Sequence, residues 1–226
     1  MPRRPLIIAI DGPSGAGKGT VARTLAERLG YRYIDTGAMY RAVAWRAQQR
    51  GVDLADADAV ASVARDADIA LDHGVAIDGH DVTHAIRNPE IDAAAAIVAR
   101  HPGVRAALVA RQRHYASNGG LVMEGRDIGT VVFPAADVKL FLDAAPEERA
   151  RRRAIDPAHA SSQQRDVQGV AQALEARDRS DRTRAASPLM VAPDAVVIDT
   201  TGVSVDAVVE KALAVVQEKI GSGTGH

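Results

Sequence analysis

Apolar positions in this chain fall into short unbroken runs, separated by longer stretches in which they recur every three or four residues. Residues 6–10 form one such run, as expected of a parallel strand buried on both faces. After a glycine-rich turn, Val21, Leu25 and Leu29 recur one helical turn apart, and Gly30 supplies a stop. Residues 31–34 read as a second strand and 38–50 as a helix ending at Gly51. Further strands are predicted at 121–123, 138–142 and 195–198. A last helix over 205–220 aligns Val205, Val208, Val209, Ala212, Val215 and Val216. Buried strands alternating with helices predict an α/β fold built on a doubly wound, five-stranded parallel sheet.

The rhythm breaks between Gly51 and Gly120. Residues 56–68 read as helix, and three short apolar runs follow at 69–71, 75–77 and 80–82. His73-Gly74 and Asp78-Gly79 lie between those runs, and Asp-Gly in that setting predicts a hairpin. Asn88-Pro89 and His101-Pro102 each open a helix with proline at its first position. The expectation is a core of 1–50 and 121–220, interrupted by a small α+β insertion at 51–120. The Gly/Ser-rich stretch 221–226 reads as a disordered tail.

Composition narrows the functional classes. Aromatics are only 3% of the 226 residues, too few to supply the stacking platforms of a single-strand nucleic-acid binder. Lys+Arg is 28 and Asp+Glu is 29, so no overall field draws the chain to nucleic acid or to an anionic membrane. Absence of cysteine excludes disulfides, thiolate nucleophiles and Cys-ligated metals. The 6–10 run is too short for a signal sequence or a spanning helix, so a cytoplasmic enzyme or switch is expected. No exposed apolar heptad is evident, and the chain is read as a monomer. Positive charge is concentrated at 149–184, which holds nine arginines against five acids. Arg149, Arg151, Arg152 and Arg153 there lead into an expected arginine-rich lid at 154–168.

Candidate chemistry begins at Gly12, Pro13, Ser14, Gly15, Ala16, Gly17, Lys18, Gly19 and Thr20, between the first strand and the first helix. That context is what a phosphate-binding loop needs: glycines let backbone N–H groups turn inward, and the helix N-terminus adds partial positive charge. Lys18, one of only four lysines, then reaches the β- and γ-phosphates of a bound ATP as a compact charge. The strict pattern places Ser or Thr directly after the lysine; here Gly19 stands there and Thr20 follows, facing either Mg²⁺ or a phosphate.

Three further clusters point to a second anion. In the first, Thr36 opens a helix, where its hydroxyl caps backbone N–H groups or contacts a phosphate, and Arg41 lies about one turn inside. The second follows the 121–123 strand: Glu124 is placed to hold Mg²⁺ or its waters, Arg126 to neutralise phosphate, and Asp127 comes next. In the third, Arg177, Asp181 and Arg184 share one helical face, presenting two guanidinium forks around a carboxylate.

Taken in order, GPSGAGKGT, DTGAMYR, PGVR with ARQR behind it, EGRDIGTVVFP and RDRSDRTR resemble the bacterial cytidylate kinases, among the P-loop nucleoside monophosphate kinases. The resemblance runs from the first strand to beyond Arg184, and it makes the 51–120 interval that family's nucleotide-binding insertion. It implies that Thr36, Arg41 and Arg126 hold the acceptor phosphate, that Tyr40 also belongs to the substrate site, and that Arg105 and Asp127 face cytosine. It likewise implies that Asp181, Arg177 and Arg184 surround the sugar and phosphates, with Lys18, Arg126, Arg177 and Arg184 acting in catalysis. Chemistry agrees with the base assignment. A carboxylate accepts from the N4 amino group of cytosine and an arginine donates to its acceptors, whereas uracil reverses part of that pattern. Ala96 stands where the family's base-contacting serine aligns.

The implied reaction is ATP- and Mg²⁺-dependent phosphorylation of CMP and dCMP. Competing readings are another nucleoside monophosphate kinase acting on UMP or AMP, a small-metabolite kinase, a nucleotide-dependent switch and a basic RNA-binding module. The arginine-rich acceptor clusters argue against a switch, and the near-neutral charge argues against the RNA module.

Overall fold

The computed structural model describes residues 5–71, 74–156 and 167–222. Residues 223–226 of the expected tail and most of the expected lid lie outside them, whereas Gly221 and Ser222, expected in the tail, continue the last helix. Two compact units emerge: one comprises 1–35, 113–149 and 187–226, the other 36–112 and 150–186.

The first unit carries a five-stranded sheet in the order β2-β6-β1-β7-β8. Its strands are β1 (Ile7–Asp11), β2 (Arg32–Asp35), β6 (Leu121–Glu124), β7 (Val138–Asp143) and β8 (Val196–Asp199). Every pairing is parallel, with Ile7 opposite Leu121, Ile8 opposite Val138 and Arg32 also opposite Leu121. Strand β1 lies at the centre, and Ile8, Ala9 and Ile10 are wholly buried, which is why its sequence is an unbroken apolar run. Helices α1 (Lys18–Leu29) and α8 (Val205–Ser222) share its core through Val21, Leu25, Val208, Val209, Ala212 and Val216. Gly30, at φ 67°, closes α1 in the left-handed conformation that its place in the sequence predicts.

The strands end one residue later than the apolar runs do. Each ends on an acid: Asp11, Asp35, Glu124, Asp143 and Asp199. A reading by hydrophobicity stops at the charge. The backbone ladder does not, because a carboxylate at the carboxyl end of a strand needs only a polar partner beyond the sheet.

The second unit is built on α2 (Thr36–Gln49), which packs against α3 (Ala57–Asp66) and α4 (Pro89–Val98). Strands β3 (Ile69–Ala70), β4 (Ala76–Ile77) and β5 (His80–Asp81) form an antiparallel sheet, as the Asp-Gly dipeptide predicts. Asp78 and Gly79 turn the β4–β5 hairpin at φ 49° and 76°. The Asp78 carboxylate accepts from Arg46, Arg50 and the Asp68 N–H, fastening the hairpin to α2. Asn88 caps α4 by accepting from the Ile91 N–H at 2.8 Å, and Pro89 takes the first helical position. Helices α5 (Pro102–His114) and α6 (Pro146–Ile155) each carry the chain from one unit to the other, and α7 (Val167–Thr183) belongs to the second. The second unit therefore takes in α2 and 150–186 as well as most of the 51–120 interval. No described helix is long and apolar enough to cross a membrane.

Candidate active site

In the first unit the glycine-rich loop leaves β1 and enters α1 at Lys18. Three donors hold its carbonyls. Lys18 Nζ bonds Pro13 O at 2.8 Å, Arg149 Nη1 bonds Ser14 O at 3.2 Å, and Thr200 Oγ1 bonds Ala16 O at 3.2 Å. An anion-binding turn needs its carbonyls directed away from the ligand, and these bonds fix them in place. Arg149 also donates from Nε to Ala144 O at 3.0 Å. It is thus a buried brace of the loop rather than the lid arginine expected from its position, because its stem and fork are enclosed by backbone carbonyls. Gly12, at φ 146°, passes so close to β7 that a Cβ there would lie 2.0 Å from Leu142 O.

Gly19 marks the departure from the strict motif, and the structure supplies its cause. A Cβ at this position would lie 3.0 Å from Glu124 Oε1 and 3.6 Å from the Tyr33 hydroxyl. The space beside Lys18 that a serine or threonine would fill is taken by a carboxylate. Tyr33 donates its hydroxyl proton to Glu124 Oε1 at 3.1 Å. Burial pushes Glu124 above the usual carboxylate range, and Asp35 adds to the rise while Lys18 and Arg126 oppose it. Burial likewise raises the Tyr33 phenol. Thr20 is exposed on α1. Among the described residues no three His, Asp or Glu side chains gather into a metal cluster. Magnesium ordinarily takes one or two carboxylates and completes its shell with waters and phosphate oxygens. Glu124 with Asp35 nearby, next to a phosphate loop, fits that donor set.

Asp11 ends β1 with both carboxylate oxygens engaged: Oδ1 accepts from Ile128 N at 2.8 Å and Oδ2 from Gly129 N at 2.7 Å. The turn that carries Arg126 and Asp127 is thereby tied to the central strand. Burial pushes Asp11 up to about 6, with Asp127 adding to the rise and the two N–H bonds and Lys18 opposing it. Residues Ile128–Val132 continue as a π-helical turn, and Asp127 is buried at its start.

In the second unit the predicted acceptor residues sit on helices. Thr36 is buried as the first residue of α2, with Tyr40 and Arg41 further along the same helix. The Arg105 guanidinium of α5 stacks over the Tyr40 ring at 5.5 Å from its centroid, and Nη1 donates to Ala99 O at 3.5 Å. Asp181 of α7 and Arg184, just beyond its last residue, are buried at 6% and 5% exposed with their charged groups 3.7 Å apart, while Arg177 is half-buried. The exposed intrahelical pair is Arg179 with Glu175 instead. Arg177 and Arg41 both turn toward one carboxylate, Asp92 of α4, at 3.6 and 3.7 Å, and Arg153 of α6 hydrogen-bonds its other oxygen.

The predicted residues thus divide between the units. Lys18, Glu124, Arg126 and Asp127 belong to the first, and Thr36, Tyr40, Arg41, Arg105, Arg177, Asp181 and Arg184 to the second. Sequence reasoning missed Asp11, whose signal was an acid closing an apolar run immediately before the loop. It also missed Asp92, for which no local spacing existed.

Comparison with known proteins identifies the family. The family model described as cytidylate kinase matches residues 8–218. A cytidylate kinase of Geobacillus kaustophilus (strain HTA426) is 51% identical, covering 97% of this chain and 100% of that protein. One from Pelotomaculum thermopropionicum is 53% identical over 92% of this chain and 94% of the relative. A solved gluconokinase from Sinorhizobium meliloti 1021 superposes with a TM-score of 0.55 at 17% identity, covering 99% of each chain, a likeness of fold. With its phosphate loop, its buried arginines and a match along almost its whole length, the chain belongs to the cytidylate kinase family of nucleoside monophosphate kinases.

Proposed function

We propose that this protein transfers the γ-phosphoryl group of ATP to CMP or dCMP, giving CDP or dCDP and ADP. One observation carries the reading beyond family membership. Among its described residues the second unit has no phosphate loop, yet Arg41, Arg153 and Arg177 converge there on a single, largely buried carboxylate. A nucleotide-dependent switch needs no such second anion site.

An oxygen of the acceptor phosphate attacks the γ-phosphorus, the bond to the β–γ bridging oxygen breaks, and ADP leaves with that electron pair. The attacking oxygen is already anionic at neutral pH, so no general base is required. Catalysis rests on alignment and on neutralising the charge spread over the transferred group. Lys18 and the loop amides hold the donor phosphates. Arg41 and Arg177, with Arg126 and Arg184, neutralise phosphate charge, while Thr36 donates a hydroxyl. Asp127 accepts from the cytosine amino group, Arg105 (steadied over Tyr40) donates to the ring acceptors, and Asp181 takes a sugar hydroxyl. Glu124, with Asp35 and the Thr20 hydroxyl, would hold Mg²⁺, which when bound offsets the charge of the donor phosphates. The same proposal places the reaction in pyrimidine nucleotide metabolism in the cytoplasm, carried out by a monomer.

The test is ADP release with ATP–Mg²⁺ and a panel of acceptors. CMP and dCMP should support turnover at least about a hundredfold better than UMP or AMP in kcat/KM, the discrimination a polar pocket achieves. Equal rates without any acceptor, or preference for another monophosphate, would overturn the assignment.

A further inference from the structure

Asp92 is not among the residues that the cytidylate kinase resemblance points to, and its environment is unusual for a helix residue. It lies in the first turn of α4, where an acid commonly offsets the helix dipole. That task is already met, since Asn88 caps the helix and exposed Glu90 supplies the charge. The Asp92 carboxylate is only 12% exposed and faces guanidinium groups from three other helices. Arg153 of α6 hydrogen-bonds Oδ2. Arg41 of α2 and Arg177 of α7 stand 3.7 and 3.6 Å from Oδ1, within ion-pair range but outside hydrogen-bond reach of it. Arg153 is therefore tethered to Oδ2, while the other two face Oδ1 at ion-pair distance. Three guanidiniums face this carboxylate, and although Asp156 also acts on Arg153, positive charge stays in excess, as a phosphomonoester requires.

We infer that Asp92 is a built-in counter-anion of the acceptor site: it positions the guanidiniums of Arg41 and Arg177, and the incoming phosphate must draw them away from it. The inference rests on the reading of Arg41 and Arg177 as acceptor-phosphate ligands. Its consequence is selectivity among anions. A bare phosphate ion competes with a resident carboxylate and gains little, whereas a nucleotide adds contacts through its base and sugar that the carboxylate does not oppose. Asp92 is thus a positioning residue whose charge sets the threshold for occupancy.

The test uses the full chain with its phosphate loop saturated by a non-hydrolysable ATP analogue and Mg²⁺, titrated with inorganic phosphate and followed by thermal shift. Removing the charge in Asp92→Asn should lower the phosphate concentration giving half the maximal shift by about tenfold, the effect of one neighbouring charge at this range. It should make phosphate a correspondingly stronger competitor of CMP in turnover. Asp92→Glu, which keeps the charge, should respond as the wild type does. A purely structural Asp92 would give the opposite result, with Asp92→Asn needing as much phosphate as the wild type or more, and that result would overturn the inference. Should Asp92→Asn fail to fold in plain buffer, recovery of the folded state by phosphate supports the inference, and failure to recover overturns it. Arg41→Ala serves as the control for the underlying reading. If it leaves the wild-type phosphate response unchanged, the acceptor assignment itself is wrong, whatever Asp92 does.

Discussion

Asp11 carries a charge that burial disfavours, and its two backbone N–H bonds offset this only in part. Its folded value of about 6 lies above the ordinary 3.8, so folding takes up a proton between those two values. The stability that Asp11 contributes is therefore greatest below pH 3.8, falls as pH rises through about 6, and is flat beyond about 7. Over that window the loss is on the order of 3 kcal/mol. Chemical denaturation of wild type and Asp11→Asn across pH 4 to 7 should show the difference in stability moving against the wild type as pH rises. A constant difference would contradict this account. The strand–loop–helix setting of Lys18 was legible because it is set by neighbours within a few positions. Asp11 and Asp92 were not, because each acquires its partners only when distant segments are packed together. Arg149 was misjudged for the same reason: nothing in an arginine-rich helix says which member will be drawn under a loop 135 residues away.

At the scale of elements, the strand–loop–helix unit beginning with β1 is the most constrained part of the chain. Gly12 combines a positive φ with a near-contact to the Leu142 carbonyl, so any side chain there must push the loop off β7. Gly12→Ala should cost about 3 kcal/mol or more, from strain and overpacking together. A urea denaturation midpoint close to that of the wild type would show that the loop adjusts freely. The strands, the hairpin and the proline-headed helix α4 were readable because each depends on local pattern and turn chemistry. The final acid of each strand escaped that reading, because a hydrophobic run ends where a site at the carboxyl end of a sheet begins. The buried face of α7 was legible as spacing, but whether such a face meets water or protein depends on what packs against it.

For the molecule as a whole, the proposed donor loop lies in the first unit and most of the proposed acceptor residues lie in the second, so the two ligands should have partly separate reporters. Adding an ATP analogue with Mg²⁺ should slow hydrogen exchange chiefly at residues 12–20, whereas CMP alone should slow it in α2 and α7. Protection by CMP confined to the 12–20 loop would show that the acceptor residues have been assigned to the wrong unit.

The central position of β1 has a consequence for the birth of the protein. This strand leaves the ribosome well before the partners on its two sides, β6 and β7, which are encoded more than a hundred residues later. Until they emerge, the segment around Ile7–Asp11 is a greasy ribbon with both hydrogen-bonding edges open, the kind of sequence that sticks to its own copies. Synthesis of the nascent chain therefore includes an interval in which a chaperone, or simple dilution, must keep that ribbon apart from others. Slowing translation upstream of residue 121 should lengthen that exposure and lower the soluble yield.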